Sequence, residues 1–332
     1  MGKVESARKE YLEWCRSLGV GTIGELNAML EAGKGVDLIN LCEANQERKY
    51  AAVADRIHFL RKKVRIVMMS GPSSSGKTSS SLRIAQQARV IGLTPKVIEL
   101  DNYFIDRDKT PKDADGKYDF ECLEAMDLEL LSSNLRDLLD GKDVLIPRFD
   151  FPSGKSIRNE ASRRLRLSDG DVLFMEGIHA LNPKLLEGID AERVMKIYIS
   201  SLSAYSGAEE NHYSTADKRL LRRIVRDSRT RGIDAESTII QWPSVRDGEV
   251  KHIFPFEENA DIVFNSGTVY DVPLLKYYAD PLVMGISESS PAHGKAVSLL
   301  AYTSLFKALT PKEIASIPPT SIMREFIGGQ TL

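Results

Sequence analysis

The sequence predicts an α/β fold, a doubly wound parallel sheet with helices on both faces, and two observations predict it. From about Arg65 onward, apolar runs of strand length alternate with longer stretches of helical periodicity. At the first junction, Ile66-Val67-Met68-Met69 runs into Ser-Gly-Pro-Ser-Ser-Ser-Gly-Lys-Thr, ending at Thr78. A buried strand, a tight glycine-flanked loop rich in free N–H groups and a helix N-terminus make a socket for anions.

The elements follow in order. Residues 1–62 read as helical, with apolar residues at helical spacing through Tyr11-Leu12, Leu26-Met29-Leu30 and Ala51-Ala54-Ile57-Leu60. Glycines around Gly19–Gly24 and Gly33–Gly35 break that stretch. It carries no evident chemistry, and is expected to pack on the main domain or to form a contact within a homo-oligomer. The expected strands are Arg65–Met69, Lys96–Leu100, Val144–Pro147, Val172–Glu176, Val194–Ser200 and Ile262–Asn265. The expected helices are Thr78–Ile91, Leu128–Leu139, Thr215–Thr230 and Leu299–Leu309. The expected division is a helical extension (1–62), a main domain (63–285) with a helical lid at about 214–233, and a C-terminal helix and tail (286–332). From Pro311, with Pro318-Pro319 ahead, the tail reads as irregular and surface-bound.

Composition narrows the function classes. Lys+Arg 45 against Asp+Glu 47 gives a net charge of −2, which disfavours bulk attraction to nucleic acid. Cys15, Cys42 and Cys122 lie far apart without a CxxC, so neither a disulfide frame nor a zinc site is expected, and a reducing, cytoplasmic setting fits. No stretch reads as a secretory signal or a membrane span.

The loop Gly71 to Thr78 fits G-x-x-x-x-G-K-[ST], with the strand and helix that this motif requires on either side. This makes the fold a P-loop NTPase type. Gly71, Ser73, Ser74, Ser75, Gly76, Lys77, Thr78 and Ser79 are the expected nucleotide contacts, Lys77 reaching the β and γ oxygens and Thr78 ligating Mg²⁺. Glu176, ending the apolar run Val172–Met175, is the expected acidic partner of the metal. ATP and Mg²⁺ are therefore the expected cofactors.

Asp101 ends the second strand, where a parallel sheet presents its ligands, and can take a proton from an attacking hydroxyl. Its charge repels an acceptor that is already a phosphate, which favours an alcohol. Tyr118-Asp119-Phe120-Glu121 and Arg148-Phe149-Asp150-Phe151 combine rings with carboxylates that can hold sugar hydroxyls. The basic run Lys218–Arg231 carries an apolar stripe of Leu221, Ile224 and Val225, with Arg219, Arg222, Arg223 and Arg226 projecting mainly elsewhere. A solvated face and nucleic-acid contact are the competing readings. The P-loop favours a lid whose arginines neutralise transferring charge.

Together and in this order, GPSSSGKTS, DNYF, YDFE, RFDF, VLFMEGIHAL and RRIVRDSRTRG resemble the uridine kinase and phosphoribulokinase family of P-loop kinases, over roughly residues 65–266. The run from Gln241 to Ser266 and the tail MREFIGG are similar to a bacterial-type nucleoside kinase subgroup. The resemblance implies that Asp101 is the base and that Tyr103, Phe120, Glu121, Phe149 and Phe151 line a nucleoside pocket. It implies that Glu176 serves the metal, that Arg223, Arg226 and Arg231 serve the lid and phosphates, and that Gln241 lies on the substrate side. There are two departures: Pro152-Ser153-Gly154 lacks the histidine with which uridine kinases read the pyrimidine, and Ile233 replaces a second lid arginine. The expected function is ATP-dependent phosphorylation of a small alcohol, a uridine- or cytidine-like nucleoside first and another sugar-like alcohol second. A regulatory P-loop module is the rival from another class, opposed by intact Lys77, Thr78, Asp101 and Glu176. A guanine-reading GTPase motif does not appear.

Overall fold

The computed structural model describes residues 1–112, 116, 118–203, 205 and 215–332. Three helices open the chain: α1 (Lys3–Ser17), α2 (Ile23–Glu31) and α3 (Gly35–Phe59). Gly19 and Gly33 end the first two with φ of +68° and +71°, a conformation that costs other residues. The alternating part then runs β1 (Ile66–Ser70), α4 (Lys77–Val90), β2 (Thr94–Glu99), α5 (Leu128–Leu139), β3 (Val144–Leu145), β4 (Arg148–Asp150), β5 (Lys155–Ile157), β6 (Arg164–Leu165), β7 (Asp171–Glu176) and β8 (Val194–Ser200). It continues through α6 (Thr215–Thr230), α7 (Ala235–His252), β9 (Ile262–Asn265), α8 (Asp271–Met284), α9 (His293–Ser304), α10 (Pro311–Ser316) and α11 (Arg324–Ile327).

The central sheet is parallel throughout, in the order β2-β7-β1-β8-β9. β1 and β7 are buried along their whole length, as continuous apolar runs covered on both faces must be. Register sets the site. Met69 and Glu99 both pair with Glu176, so the loops that follow β1 and β2 leave the sheet beside the Glu176 carboxylate.

Several expectations are corrected. Val144–Pro147 is not a strand of this sheet: among the described residues Val144–Leu145 pairs only with Arg164–Leu165, while Val144 and Ile146 pack into the apolar cluster beneath α5. The C-terminal helix spans 293–304 rather than 299–309. The tail is not irregular surface chain. Thr310 and Glu313 form a reciprocal capping box on α10, and Ile314, Ile317, Ile322, Met323, Phe326 and Ile327 are buried. Beyond the two short tail helices, α7 and α8 lie outside the expected helices because proline and glycine mask them: α7 contains Pro243 and Gly248, and α8 contains Pro273 and Pro281.

The N-terminal helices share cores with the rest of the chain. Tyr11, Cys15, Leu26, Leu30, Leu38, Ile39 and Cys42 pack with α6, α8, α9 and the tail. Tyr50, Val53, Ala54 and Ile57 of α3 cover the sheet beside α4. Among the described residues, no helix is long and apolar enough to cross a membrane.

Candidate active site

The loop at residues 71–76 is held by its carbonyls. Lys77 Nζ donates to the oxygens of Gly71 (2.8 Å) and Pro72 (3.3 Å). Arg219 Nη1 donates to the Ser73 oxygen (2.9 Å), Arg222 Nη1 to that of Ser74 (3.4 Å), and the Ser266 hydroxyl to that of Ser75. With its carbonyls tied down, such a loop can turn N–H groups toward an anion. Ser74 (φ +57°) and Gly76 (φ +79°) take the left-handed conformation that the tight turn demands. Gly71 has no room for a Cβ, which would lie 2.0 Å from the Ile199 oxygen.

The loop opens on a cleft of about 380 Å³ lined by Ser73, Ser74, Lys77, Thr78, Asp101, Glu121, Glu176, Arg223, Arg226 and Arg231, among others. Thr78 Oγ1 donates to Glu176 Oε1 at 2.7 Å. Burial pushes the Glu176 carboxyl up to about 6, against the pull of Lys77 and Thr78. A hydroxyl and a carboxylate side by side are oxygen donors suited to Mg²⁺, which takes one or two protein oxygens and completes its shell with phosphates and water. The residues therefore fit the metal.

Asp101 lies on the 3-10 turn Leu100–Tyr103 that follows β2. Burial, and then Glu99, raise its pKa, while Lys77 and Arg231 lower it, with a net rise. Among the described residues, no side-chain hydrogen bond holds its carboxylate, leaving it open to an acceptor hydroxyl. Glu121 is raised likewise, by burial first and with Lys77 opposing.

A second cavity, about 440 Å³, shares Phe104, Phe120 and Phe151 with the cleft and adds Ile105, Arg107, Thr110 and Phe149. Phe149 meets Phe104 and Phe151 edge to face, at centroid distances of 5.5 and 5.1 Å. The site thus joins a charged cleft against the loop to an aromatic cavity through Phe104, Phe120 and Phe151, a plan suited to a ligand with phosphate and ring parts.

Some expected residues fall elsewhere. Tyr103 belongs to the core: it is buried, and its hydroxyl accepts from Asn134 Nδ2 at 3.1 Å. Gln241 is exposed on α7, one turn before Val245, which lines the cleft. Ser79 is buried and turned away from the cleft, donating to Glu325. Arg219 and Arg222 are not on a solvated face but fully buried, Arg219 with Glu249 and Arg222 with Asp271. The expected lid at 214–233 is accordingly a packed helix, α6, whose apolar stripe joins the core; residue 214 lies outside the described residues.

Sequence reasoning missed the carboxylates that organise these arginines. Buried Asp227 lies within 3.2 Å of Arg223, 3.0 Å of Arg226 and 3.4 Å of Arg231, gathering all three at the cleft. Glu249 accepts from the Ser73 amide (3.0 Å) and from Arg219 Nη2 (2.7 Å). An acidic residue four positions after Arg223 was a readable signal for the first. No local signal marked the second.

Gly154, in the segment Pro152–Gly154 that lacks the histidine of the resemblance, has φ +67°, and a Cβ there would lie 2.8 Å from Arg107 Cβ. Arg107 fills that space and donates to the Phe151 oxygen at 2.5 Å.

A glycine-rich loop cradled at the carboxyl edge of a parallel sheet, with a hydroxyl–carboxylate pair beside it, defines a P-loop protein built for phosphoryl chemistry. Residues 66–273 match the model of the Phosphoribulokinase / Uridine kinase family. Uridine kinase from Macrococcus caseolyticus (strain JCSC5402) is 33% identical over 207 residues, covering 62% of this chain and 89% of the relative. Uridine kinase from Staphylococcus aureus (strain JH9) is 30% identical over 203 residues, covering 61% and 87%. The solved structure of a possible uridine kinase from Bacillus stearothermophilus has a TM-score of 0.39 at 19% identity, over 64% of this chain and 100% of that one. The chain belongs to the phosphoribulokinase / uridine kinase family and is a phosphotransferase with a hydroxyl acceptor.

Proposed function

We propose that the chain transfers the γ-phosphoryl group of ATP to a hydroxyl of a nucleoside, with uridine- or cytidine-like acceptors first. One observation supports this reading: Asp101 lines the same cleft as the loop residues Ser73, Ser74, Lys77 and Thr78, and that cleft shares Phe104, Phe120 and Phe151 with the phenylalanine cavity, so one ligand could offer a hydroxyl to Asp101 and a ring to the phenylalanines. The uridine kinase relatives support the acceptor class. Residues 63–285 would be the catalytic unit, with the helices on either side as its supports.

In this mechanism Lys77 exchanges its loop carbonyls for the β and γ oxygens. Thr78 and Glu176 would hold Mg²⁺, which when bound would supply charge neutralisation at the phosphates. Asp101 accepts the proton of the attacking hydroxyl as the new O–P bond forms and the bond from the γ phosphorus to the β,γ-bridging oxygen breaks, with ADP as the leaving group. Arg223, Arg226 and Arg231 face the charge that spreads over the transferring group. Phe120, Phe149 and Phe151 pack against the base and ribose, and Glu121 accepts from sugar hydroxyls.

A second reading, phosphorylation of another sugar-like alcohol, is favoured by Arg107 filling the space at Gly154. A panel of nucleosides, sugars and small alcohols, assayed for ATP-dependent phosphorylation, separates the two. Uridine or cytidine should lead the panel, and Lys77→Ala should lower the rate by about 10³-fold or more. A panel led by sugars would replace the first reading with the second. Full activity in Lys77→Ala would overturn both.

A further inference from the structure

We propose that residues 321–330 form an outer wall of the nucleotide site, in which Glu325 and Gln330 are positioning residues acting through Ser79. The inference rests on the nucleotide reading above. The segment lies beyond the family match, which ends at residue 273. It nonetheless reaches the junction of the loop and α4 at three points.

The first is Ser79 itself. Its hydroxyl donates to Glu325 Oε2 at 2.5 Å and accepts from Gln330 Nε2 at 2.8 Å. Both bonds reach across some 250 residues of sequence to the helix turn that carries Thr78. The second is Gly76: a Cβ there would lie 2.3 Å from Ile322 Cδ1, so the isoleucine closes the loop from outside. The third is Arg222, whose guanidinium lies 4.9 Å from the Phe326 ring centroid and also reaches the Ser74 oxygen.

The tail is itself held firmly. Ser321 Oγ donates to Glu43 Oε1 at 2.8 Å, and Arg229 donates to the backbone oxygens of Glu325 (2.9 Å) and Phe326 (3.1 Å). A fixed carboxylate on Ser79 fixes the first turn of α4, and with it the Thr78 hydroxyl one residue earlier. Ordering that turn during folding spares the cost at binding, which is how preorganisation raises affinity.

Calorimetry of ATP·Mg²⁺ binding tests this in the full chain. Glu325→Ala should weaken binding by about tenfold, the scale of one hydrogen bond to a charged group. Glu325→Gln keeps an acceptor for Ser79 and should recover most of the loss. Ser79→Ala combined with Glu325→Ala should bind no more weakly than the weaker single variant, because both remove the same bond. The acceptor KM should stay unchanged in all three. If Glu325→Ala fails to fold, Gln330→Ala removes one exposed amide and should still weaken ATP·Mg²⁺ binding. Unchanged affinity, or tighter binding in Glu325→Ala, overturns the proposal while leaving the nucleotide reading intact. A parent chain that binds no ATP·Mg²⁺ overturns both.

Discussion

Asp101 carries the sharpest test at the scale of single residues. Asn keeps the size and one acceptor oxygen but takes no proton at neutral pH. Asp101→Asn is therefore expected to slow phosphoryl transfer by about 10²–10⁴-fold while ATP·Mg²⁺ still binds, measured by turnover and calorimetry on the same preparation. The pH profile follows from the raised pKa. A base works deprotonated, and burial together with Glu99 makes Asp101 hold its proton to higher pH than an ordinary aspartate. Activity of the parent should fall with decreasing pH through that raised value, above the ordinary aspartate value of about 3.9. Residual activity in Asp101→Asn should lack that limb; a limb that persists assigns it to another group, such as Glu176.

At the scale of elements, α6 combines roles that its sequence does not separate. Arg223, Arg226 and Arg231 converge on Asp227 and face the cleft, whereas Arg219, Arg222 and Lys218 are buried. Arg226→Ala should lower kcat more than it weakens ATP binding, since its charge matters most when charge spreads in the transition state. Equal kcat in variant and parent would deny it that role. Asp271 is different in kind. Burial pushes its carboxyl up, but Arg222 at 2.6 Å and Lys218 at 3.4 Å together pull it below its ordinary value. Asp271→Asn leaves two buried cations short of a counter-charge and should cost about 3–5 kcal/mol in denaturant unfolding. Because the folded pKa is depressed, the carboxylate stabilises the parent above the unfolded pKa of about 3.9, and that stability is lost as pH falls through the folded value. The variant should lack this part of the acid dependence.

At the scale of the whole molecule, the P-loop is supported from both ends of the chain. Gln46 of α3 donates to the backbone oxygens of Asn265 (3.3 Å) and Gly267 (3.0 Å), and Ser266 between them holds the Ser75 oxygen. Deleting residues 1–62 would expose the apolar faces of α6, α8 and α9, a large uncovered patch of the kind that drives association. The truncated chain is expected to be recovered mainly as aggregate, read by soluble yield and size-exclusion chromatography. A monodisperse, ATP-binding fragment would show instead that the extension is dispensable.

The parallel sheet and the P-loop were legible in the sequence because their signals are local. Apolar runs of strand length must be buried, and Gly71, Gly76, Lys77 and Thr78 sit within eight residues whose spacing follows from phosphate geometry. Glu176 and Asp101 could be named because strand ends are local too, and parallel pairing brings such ends together. What tertiary structure alone decided was the partner of each charge. Arg219 and Arg222 read as surface residues because a helix periodicity counts charge as exposed. Their burial depends on Glu249 and Asp271, 30 and 49 residues further on. Tyr103 read as a pocket ring, but its hydroxyl lies in the core against Asn134, and the Ser79 hydroxyl is taken by Glu325, which leaves only its backbone N–H for a phosphate. The tail read as loose chain because six-residue and four-residue helices have too little periodicity to register. A lone ionised or polar group is costly to bury unless it is paired, and the pairs lie far apart along the chain, so only the folded molecule could bring them together.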